Sequence, residues 1–154
     1  MEYILDNGLK NFQSFAVFTE DLATPHWWSK FLKKPFLHVL VIHSWEEGGR
    51  QFVRIQDPVV NLSKCKVYFR ESKPIEVLHW YSFMRDYRSA CVGKPPKIIK
   101  LKIFLDKYNS LNKLISKLPL FTAYIMLAMG IASYAITPFQ LYKALRSKGC
   151  RNLF

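Results

Sequence analysis

Cysteine is scarce in this 154-residue chain, and its three copies, Cys65, Cys91 and Cys150, are widely spaced. An odd number of cysteines without a C-x-x-C pair predicts neither a disulfide framework nor a structural zinc site. The four histidines also lack the spacing that is typical of a metal centre. The sequence therefore predicts a protein of a reducing compartment that needs no metal and no cofactor.

The chain also lacks low-complexity stretches, internal repeats and an apolar leader. Its first residues, MEYILDNGLKNF, include Glu2 and Asp6 and do not have the apolar segment of a secretory signal. Half of all residues are hydrophobic and 16% are aromatic, which is enough apolar surface to build a core. We expect a single domain over residues 1–154, in which residues 1–23 form an N-terminal arm.

Acidic residues are almost missing from the C-terminal part, although the whole chain has a formal net charge of +12. Residues 94–154 contain Asp106 as their single acid against eleven lysines and arginines. Such asymmetry predicts either a solvated basic surface or an acidic partner, which could be DNA, an anionic membrane surface or an acidic protein. No nucleic-acid-binding motif accompanies the charge. The candidate binding residues are Lys94, Lys97, Lys100, Lys102, Lys107, Lys113 and Lys117.

Apolar and alternating runs predict an α+β fold, with a small antiparallel sheet of about four strands packed by helices. The runs FLHVLVIH (36–43) and QFVRI (51–55) are joined by a Gly-Gly turn and predict a β-hairpin that ends at Asp57-Pro58. The remaining predicted elements are a short helix at 24–34, strands at 66–71 and 98–105, and helices at 75–88, 106–117 and 119–133.

The last predicted helix has the strongest local signal in the sequence. Thr137 has the residue type of an N-cap, Pro138 follows at the first helical position, and Gln140 completes a capping box. This helix should run to about Ser147 and end at Gly149, because glycine is the residue that most readily follows a helix C-terminus.

Residues 118–142 carry no charge, which leaves the alternative of a small membrane protein whose residues 118–138, approximately, cross the bilayer. The predicted helix start at Pro138 lies inside this stretch and interrupts it. The apolar segment 119–133 would give only about 22 Å of helix, whereas the hydrocarbon core of a bilayer is about 30 Å thick. A membrane partner is therefore not expected.

Two segments resemble a known family in their motifs and order: WWSKFLKKPFLHVLVIHSWEEGGRQFVRIQDP (27–58) and FTAYIMLAMGIASYAITPFQLYKAL (121–145). The family consists of small proteins common in tailed bacteriophages and their hosts, which look like circularly permuted relatives of the papain-like NlpC/P60 and LRAT-type cysteine peptidases and amidases. The matching residues here are His38 on a strand, Asp57-Pro58 at the end of a hairpin, Met129-Gly130-Ile131, and Thr137-Pro138-Phe139-Gln140-Leu141-Tyr142.

The resemblance implies a site that has lost its nucleophile. Counting back from Gly130, the position of the family's cysteine falls on Phe121, and Thr122 beside it is a poor substitute. Papain-type chemistry needs a thiolate within hydrogen-bond reach of an imidazole, and a phenyl ring supplies none. The resemblance therefore implies a degenerate site of His38, Asp57, Phe121 and Thr122, in which His38 is a hydrogen-bonded remnant.

The function expected from this resemblance is that of a non-enzymatic structural component of a tailed-phage virion, made in the host cytoplasm. Its partners would be other virion proteins, with an acidic protein or DNA facing the basic C-terminal part. The alternative enzyme is an active cell-wall amidase or peptidase that uses Cys91 and His38. That alternative requires the Cys91 sulfur to lie within hydrogen-bond reach of the His38 imidazole.

Overall fold

A computed structural model of the chain describes residues 9–20, 30–61, 66–91, 93–101, 122, 125, 135 and 137–154. Within these ranges it contains an antiparallel sheet and two helices, α1 (Trp80–Ala90) and α2 (Pro138–Ser147). The predicted α+β class with a small antiparallel sheet is confirmed. The strands are β1 (Leu9–Thr19), β2 (His38–Glu47), β3 (Arg50–Asn61), β4 (Lys66–Glu71), β5 (Ile75–Val77) and β6 (Lys97–Leu101).

The sheet is larger than the four strands expected, because six strands join it. Its order is β4-β3-β2-β1-β6, and β5 pairs with β3. The outer edge of β3 is shared between two partners, with β5 beside residues 51–53 and β4 beside residues 56–61. The β2–β3 hairpin is confirmed, and its turn holds Gly48 and Gly49 at φ of 59° and 76°, a conformation that favours glycine.

The prediction of an N-terminal arm over residues 1–23 is wrong for the described residues 9–20. Residues 9–19 form β1, which lies between β2 and β6 inside the sheet. Phe15, Ala16, Val17 and Phe18 are fully buried, so β1 is apolar on both of its faces. A short apolar run without alternation is the pattern of a strand covered on both sides, which explains why no period-two signal marked it.

The hairpin does not end at Asp57-Pro58, because β3 continues to Asn61. Pairing between β2 and β3 stops at the pair of Val41 and Gln56, and from there on β3 has β4 as its partner. Proline lacks a backbone N–H, so a strand tolerates it where one edge is unpaired. The strand therefore passes through Pro58 and leaves a fork between β2 and β3.

The helix predicted from Pro74 begins later than expected. Residues 75–77 are β5, which pairs with Gln51–Val53 of β3. Helix α1 then starts after His79, whose side chain accepts a hydrogen bond from the backbone N–H of Tyr81. The tertiary pairing with β3 overrides the helical pattern over these three residues.

Two hydrophobic cores lie on the two faces of the sheet. On the face that we call the α1 face, α1 contributes the fully buried Met84. On the α2 face, α2 contributes Leu141 and Leu145. The sheet residues of the α1 face are Phe15, Val17, Leu40, Ile42, Val53 and Ile98, and those of the α2 face are Ala16, Phe18, Val39, Val41, Ile99 and Leu101.

The predicted start and end of α2 are both confirmed. The Thr137 hydroxyl accepts from the backbone N–H of Gln140, and the Gln140 amide oxygen accepts from the N–H of Thr137. Gly149 follows the helix at φ of 91°. The C-terminal residues are not a free tail, because Cys150 is buried in the core of the α2 face. Beyond it, Leu153 N–H donates to Ile98 O at the edge of β6.

Removing the cap of α2 should cost stability without changing the fold. We expect Thr137→Ala to lower the free energy of unfolding by about 1 kcal/mol, because the N–H of Gln140 loses its acceptor. Urea unfolding followed by circular dichroism measures this loss. Thr137→Ser keeps a hydroxyl at the same position and is the matched control. Equal losses in both variants would show that the cap does not stabilise the helix.

Candidate functional site

The predicted site residues His38 and Asp57 meet at the fork between β2 and β3. His38 Nε2 lies 2.6 Å from Asp57 Oδ1, across the point where the two strands stop pairing. Strand alternation places both side chains on the α1 face, and they are 22% and 29% exposed. The carboxylate orients the imidazole and engages Nε2, so Nδ1 is the nitrogen left for a further group.

The structure does not bring Thr122 to this pair. The Thr122 hydroxyl is buried and donates to the backbone oxygen of Ala135, which belongs to the core of the α2 face. Ile125, three residues further along the chain, packs into the same core. Thr122 therefore lies on the opposite side of the sheet from His38. Phe121 lies outside the described residues.

Cys91, the nucleophile of the alternative hydrolase, lies at the C-cap of α1 and is partly exposed. The His38 imidazole that this alternative needs is bonded through Nε2 to Asp57 Oδ1. Cys150 is buried, and Cys65 lies outside the described residues. The hydrolase alternative stays a prediction, which the distance from Cys91 Sγ to the His38 imidazole would test.

A cavity of about 450 Å³, which we call the basic cleft, lies at the same end of the sheet. Five of its lining side chains are cationic, and none of the described lining side chains is acidic. The remaining lining residues are aromatic rings and prolines. The described lining comprises Lys33, Lys34, Pro35, Phe36, Arg88, Lys94, Pro95, Pro96, Lys97, Phe139, Tyr142 and Phe154.

Packing of Phe36 positions one side of the basic cleft. Its ring is 4% exposed, and its centroid lies 5.0 Å from that of Phe139 and 4.8 Å from that of Tyr142. This anchor holds the preceding residues Lys33 and Lys34 beside α2. On the other side, Arg88 comes from the last turn of α1, and Lys97 opens β6 opposite Phe18 of β1.

Aromatic rings, and not carboxylates, accompany the charges of the basic cleft. The Nζ atom of Lys33 lies 4.4 Å from the ring centroid of Phe139, and that of Lys143, which does not line the cleft, lies 4.9 Å from the same centroid. The guanidinium carbon of Arg88 lies 5.4 Å from the centroid of Phe154. Cation–π contacts orient the cations but do not neutralise them, so the positive potential of the cleft remains.

Only part of the predicted lysine set forms one surface. Lys94 and Lys97 line the basic cleft, whereas Lys100 is exposed on the opposite side of β6, three residues along the strand from Lys97. Lys102, Lys107, Lys113 and Lys117 lie outside the described residues. Among the described lysines of the set, Lys94 and Lys97 therefore share a surface that does not include Lys100.

Sequence reasoning missed the other half of the basic cleft. The available signal was the pair Lys33-Lys34 directly before Pro35 and Phe36, but the acids of the N-terminal half reduced the net charge there. Nothing in the sequence around Arg88 marked it as a cleft residue, because the packing of α1 is what brings it beside residues 94–97.

A second missed feature is a buried polar chain on the α2 face. Ser14 Oγ lies 2.8 Å from His43 Nδ1, and His43 Nε2 lies 3.4 Å from Gln56 Oε1. These distances fit a neutral imidazole that accepts from Ser14 and donates to Gln56. Burial lowers the pKa of His43 to about 4. All three side chains are buried, so a substrate has no direct approach to Ser14.

Comparisons with known proteins do not assign this site. No protein-family model matches the chain, and no curated protein or solved structure is significantly similar to it. Among the described residues, no group of three His, Cys, Asp or Glu side chains is placed to hold a metal ion. No helix in the described ranges is long and apolar enough to cross a membrane. The binding partner must therefore be inferred from the chain's own residues.

Proposed function

We propose that this protein is a non-enzymatic binding component of a larger assembly and that it holds an acidic macromolecule at the basic cleft. The observation that supports this proposal is the charge of the cleft. Three separate chain segments bring five cations together there, and no described lining side chain is acidic. Like charges that the fold holds together repel each other, and an anion bound among them removes this repulsion.

The resemblance to the tailed-phage family specifies the assembly. On that basis the fold is a degenerate permuted papain-like domain, the assembly is a virion, and the partners are other virion proteins or DNA. The absence of catalysis is proposed because Phe121 stands at the nucleophile position of the family. Fold resemblance alone does not determine function, so the binding proposal rests on the cleft.

Charge removal at the basic cleft tests this proposal. The variant Lys33→Gln/Lys34→Gln/Lys94→Gln/Lys97→Gln should bind polyanions at least about tenfold more weakly than the wild type at about 0.1 M salt. The probes are fluorescently labelled polyglutamate, oligothymidylate and a DNA duplex. Wild-type binding to its preferred probe should weaken steeply with added salt, because the Debye length falls from about 10 Å at 0.1 M to about 3 Å at 1 M.

A control variant with the same loss of charge distinguishes the effect of the cleft lysines on binding from the effect of the protein's overall net charge. It replaces four exposed lysines that do not line the cleft, and it should retain binding within about threefold of the wild type. Equal weakening in both variants would mean that charge anywhere on the protein suffices. Failure of the wild type to bind any of the three probes would also overturn the proposal. The four control positions are Lys10, Lys73, Lys100 and Lys148.

A further inference from the structure

Arg88 carries a donor that the described structure leaves without an acceptor. Its Nε is buried, and no hydrogen-bond partner reaches it in the part of the chain that the structure describes. A buried N–H without an acceptor is costly, so this position favours a ligand that brings one. The guanidinium is also packed against the ring of Phe154, which holds its plane in place. A fixed guanidinium fork matches two oxygens of a phosphate or carboxylate.

The neighbouring cations favour an anion of more than one charge. Lys33, Lys34, Lys94 and Lys97 line the same cleft as Arg88 and have no ion pair within the described ranges. A single carboxylate would leave most of this charge unbalanced. A phosphate group concentrates up to two negative charges on oxygens that accept from several donors at once.

The rest of the lining favours a ligand with a planar apolar part. Phe36, Phe139, Tyr142 and Phe154 line the cleft together with three prolines. Its volume of about 450 Å³ falls within the range of small-molecule sites, about 300–1,000 Å³. A nucleobase stacks on or packs against aromatic rings, whereas the bases of a duplex are paired and stacked on each other. Acidic peptide side chains have no such planar surface.

We propose that the basic cleft is a nucleotide site, in which Arg88 and the cleft lysines hold a phosphate group while the aromatic lining contacts the base. The nucleotide is either free or an unpaired unit of a single-stranded nucleic acid, because both sources present the same phosphate and base. This inference rests on the proposed function in that an anion occupies the same cleft, and of the two sources only a strand is also the acidic macromolecule proposed above.

Isothermal titration with the full chain tests the site, using AMP, adenosine, inorganic phosphate, oligodeoxyadenylate and polyglutamate as probes. We expect AMP to bind at least about tenfold more tightly than adenosine or phosphate, because it engages both the cations and the rings. Tighter binding of oligodeoxyadenylate than of AMP identifies a strand as the source. Equal affinity of the two ligands identifies a free nucleotide. Both results support the site.

Two variants distinguish the contribution of the phosphate contact to binding from that of the base contact. Arg88→Gln should lower the affinity for AMP by about tenfold. Arg85 is exposed on the same helix outside the cleft, and Arg85→Gln should leave the affinity for AMP unchanged. Phe154→Leu should weaken the binding of AMP more than that of inorganic phosphate, because it removes a ring from the base as well as the contact with Arg88. Equal affinity for AMP and phosphate, or an unchanged AMP affinity in Arg88→Gln, would overturn the nucleotide site. Binding of polyglutamate alone would overturn it too, yet would leave the proposed acidic partner standing.

Discussion

Acidification should weaken the fold by about 3 kcal/mol through His43 alone. Burial lowers its pKa from 6.5 in the unfolded chain to about 4 in the folded chain. Above about pH 6.5 the imidazole is neutral in both states and contributes no pH dependence. Between pH 6.5 and about 4 the unfolded chain takes up a proton that the folded chain does not, so stability falls as the pH falls. Below about pH 4 the His43 imidazole is protonated in both states and causes no further loss of stability.

The comparison of wild type with His43→Gln isolates this effect from the carboxylates, which also titrate in acid. The unfolding free energy is measured by urea titration at several pH values between about 4 and 7. His43→Gln should lose most of the pH slope in that window, although its absolute stability also changes because Ser14 and Gln56 lose their partner. His79→Gln, at an exposed position, is the control and should keep the slope. Equal slopes in wild type and His43→Gln would contradict the prediction.

Truncating Phe36 should cost about 3–5 kcal/mol of unfolding free energy, because a buried phenylalanine leaves both lost contacts and a cavity. Its ring is 4% exposed and contacts the rings of Phe18, Phe139 and Tyr142. Leucine at this position fills more of the cavity than alanine, so Phe36→Leu should lose less unfolding free energy than Phe36→Ala. Because Phe36 also holds Lys33 and Lys34 beside α2, the leucine variant should bind polyanions more weakly while remaining folded.

Phe31→Ala is the matched control for this prediction. Phe31 lies five residues earlier and is 73% exposed, so its truncation should change stability by no more than about 0.5 kcal/mol. Chemical denaturation of the three variants gives the comparison. A loss below about 1 kcal/mol in Phe36→Ala would show that the ring cluster does not anchor this segment.

Local signals predicted the elements whose ends depend on nearby residues. The capping box at Thr137 and the Gly48-Gly49 turn were both confirmed, since their hydrogen bonds and backbone angles involve residues within a few positions. The cap and the turn need little knowledge of the tertiary structure. His38 and Asp57 were both predicted as site residues, but the hydrogen bond between them was not predicted from the sequence.

Tertiary packing decided the features that the sequence did not predict. β1 is an inner strand of the sheet although its pattern has no alternation, and β5 is three residues long and exists through its pairing with β3. The basic cleft joins residues 33–36, 88, 94–97, 139, 142 and 154, which are far apart in the chain. A net-charge count along the sequence cannot reveal such a site, because its charges converge only in the folded molecule.

The basic cleft takes its lining from both sides of the sheet, with Arg88 on α1 and Tyr142 on α2. A bound anion would therefore link two helical layers that the sheet keeps apart. Local opening of either helix would release the anion, so occupancy should slow amide hydrogen exchange in α1 and α2 together. Two helices without a shared core would then exchange as one cooperative unit.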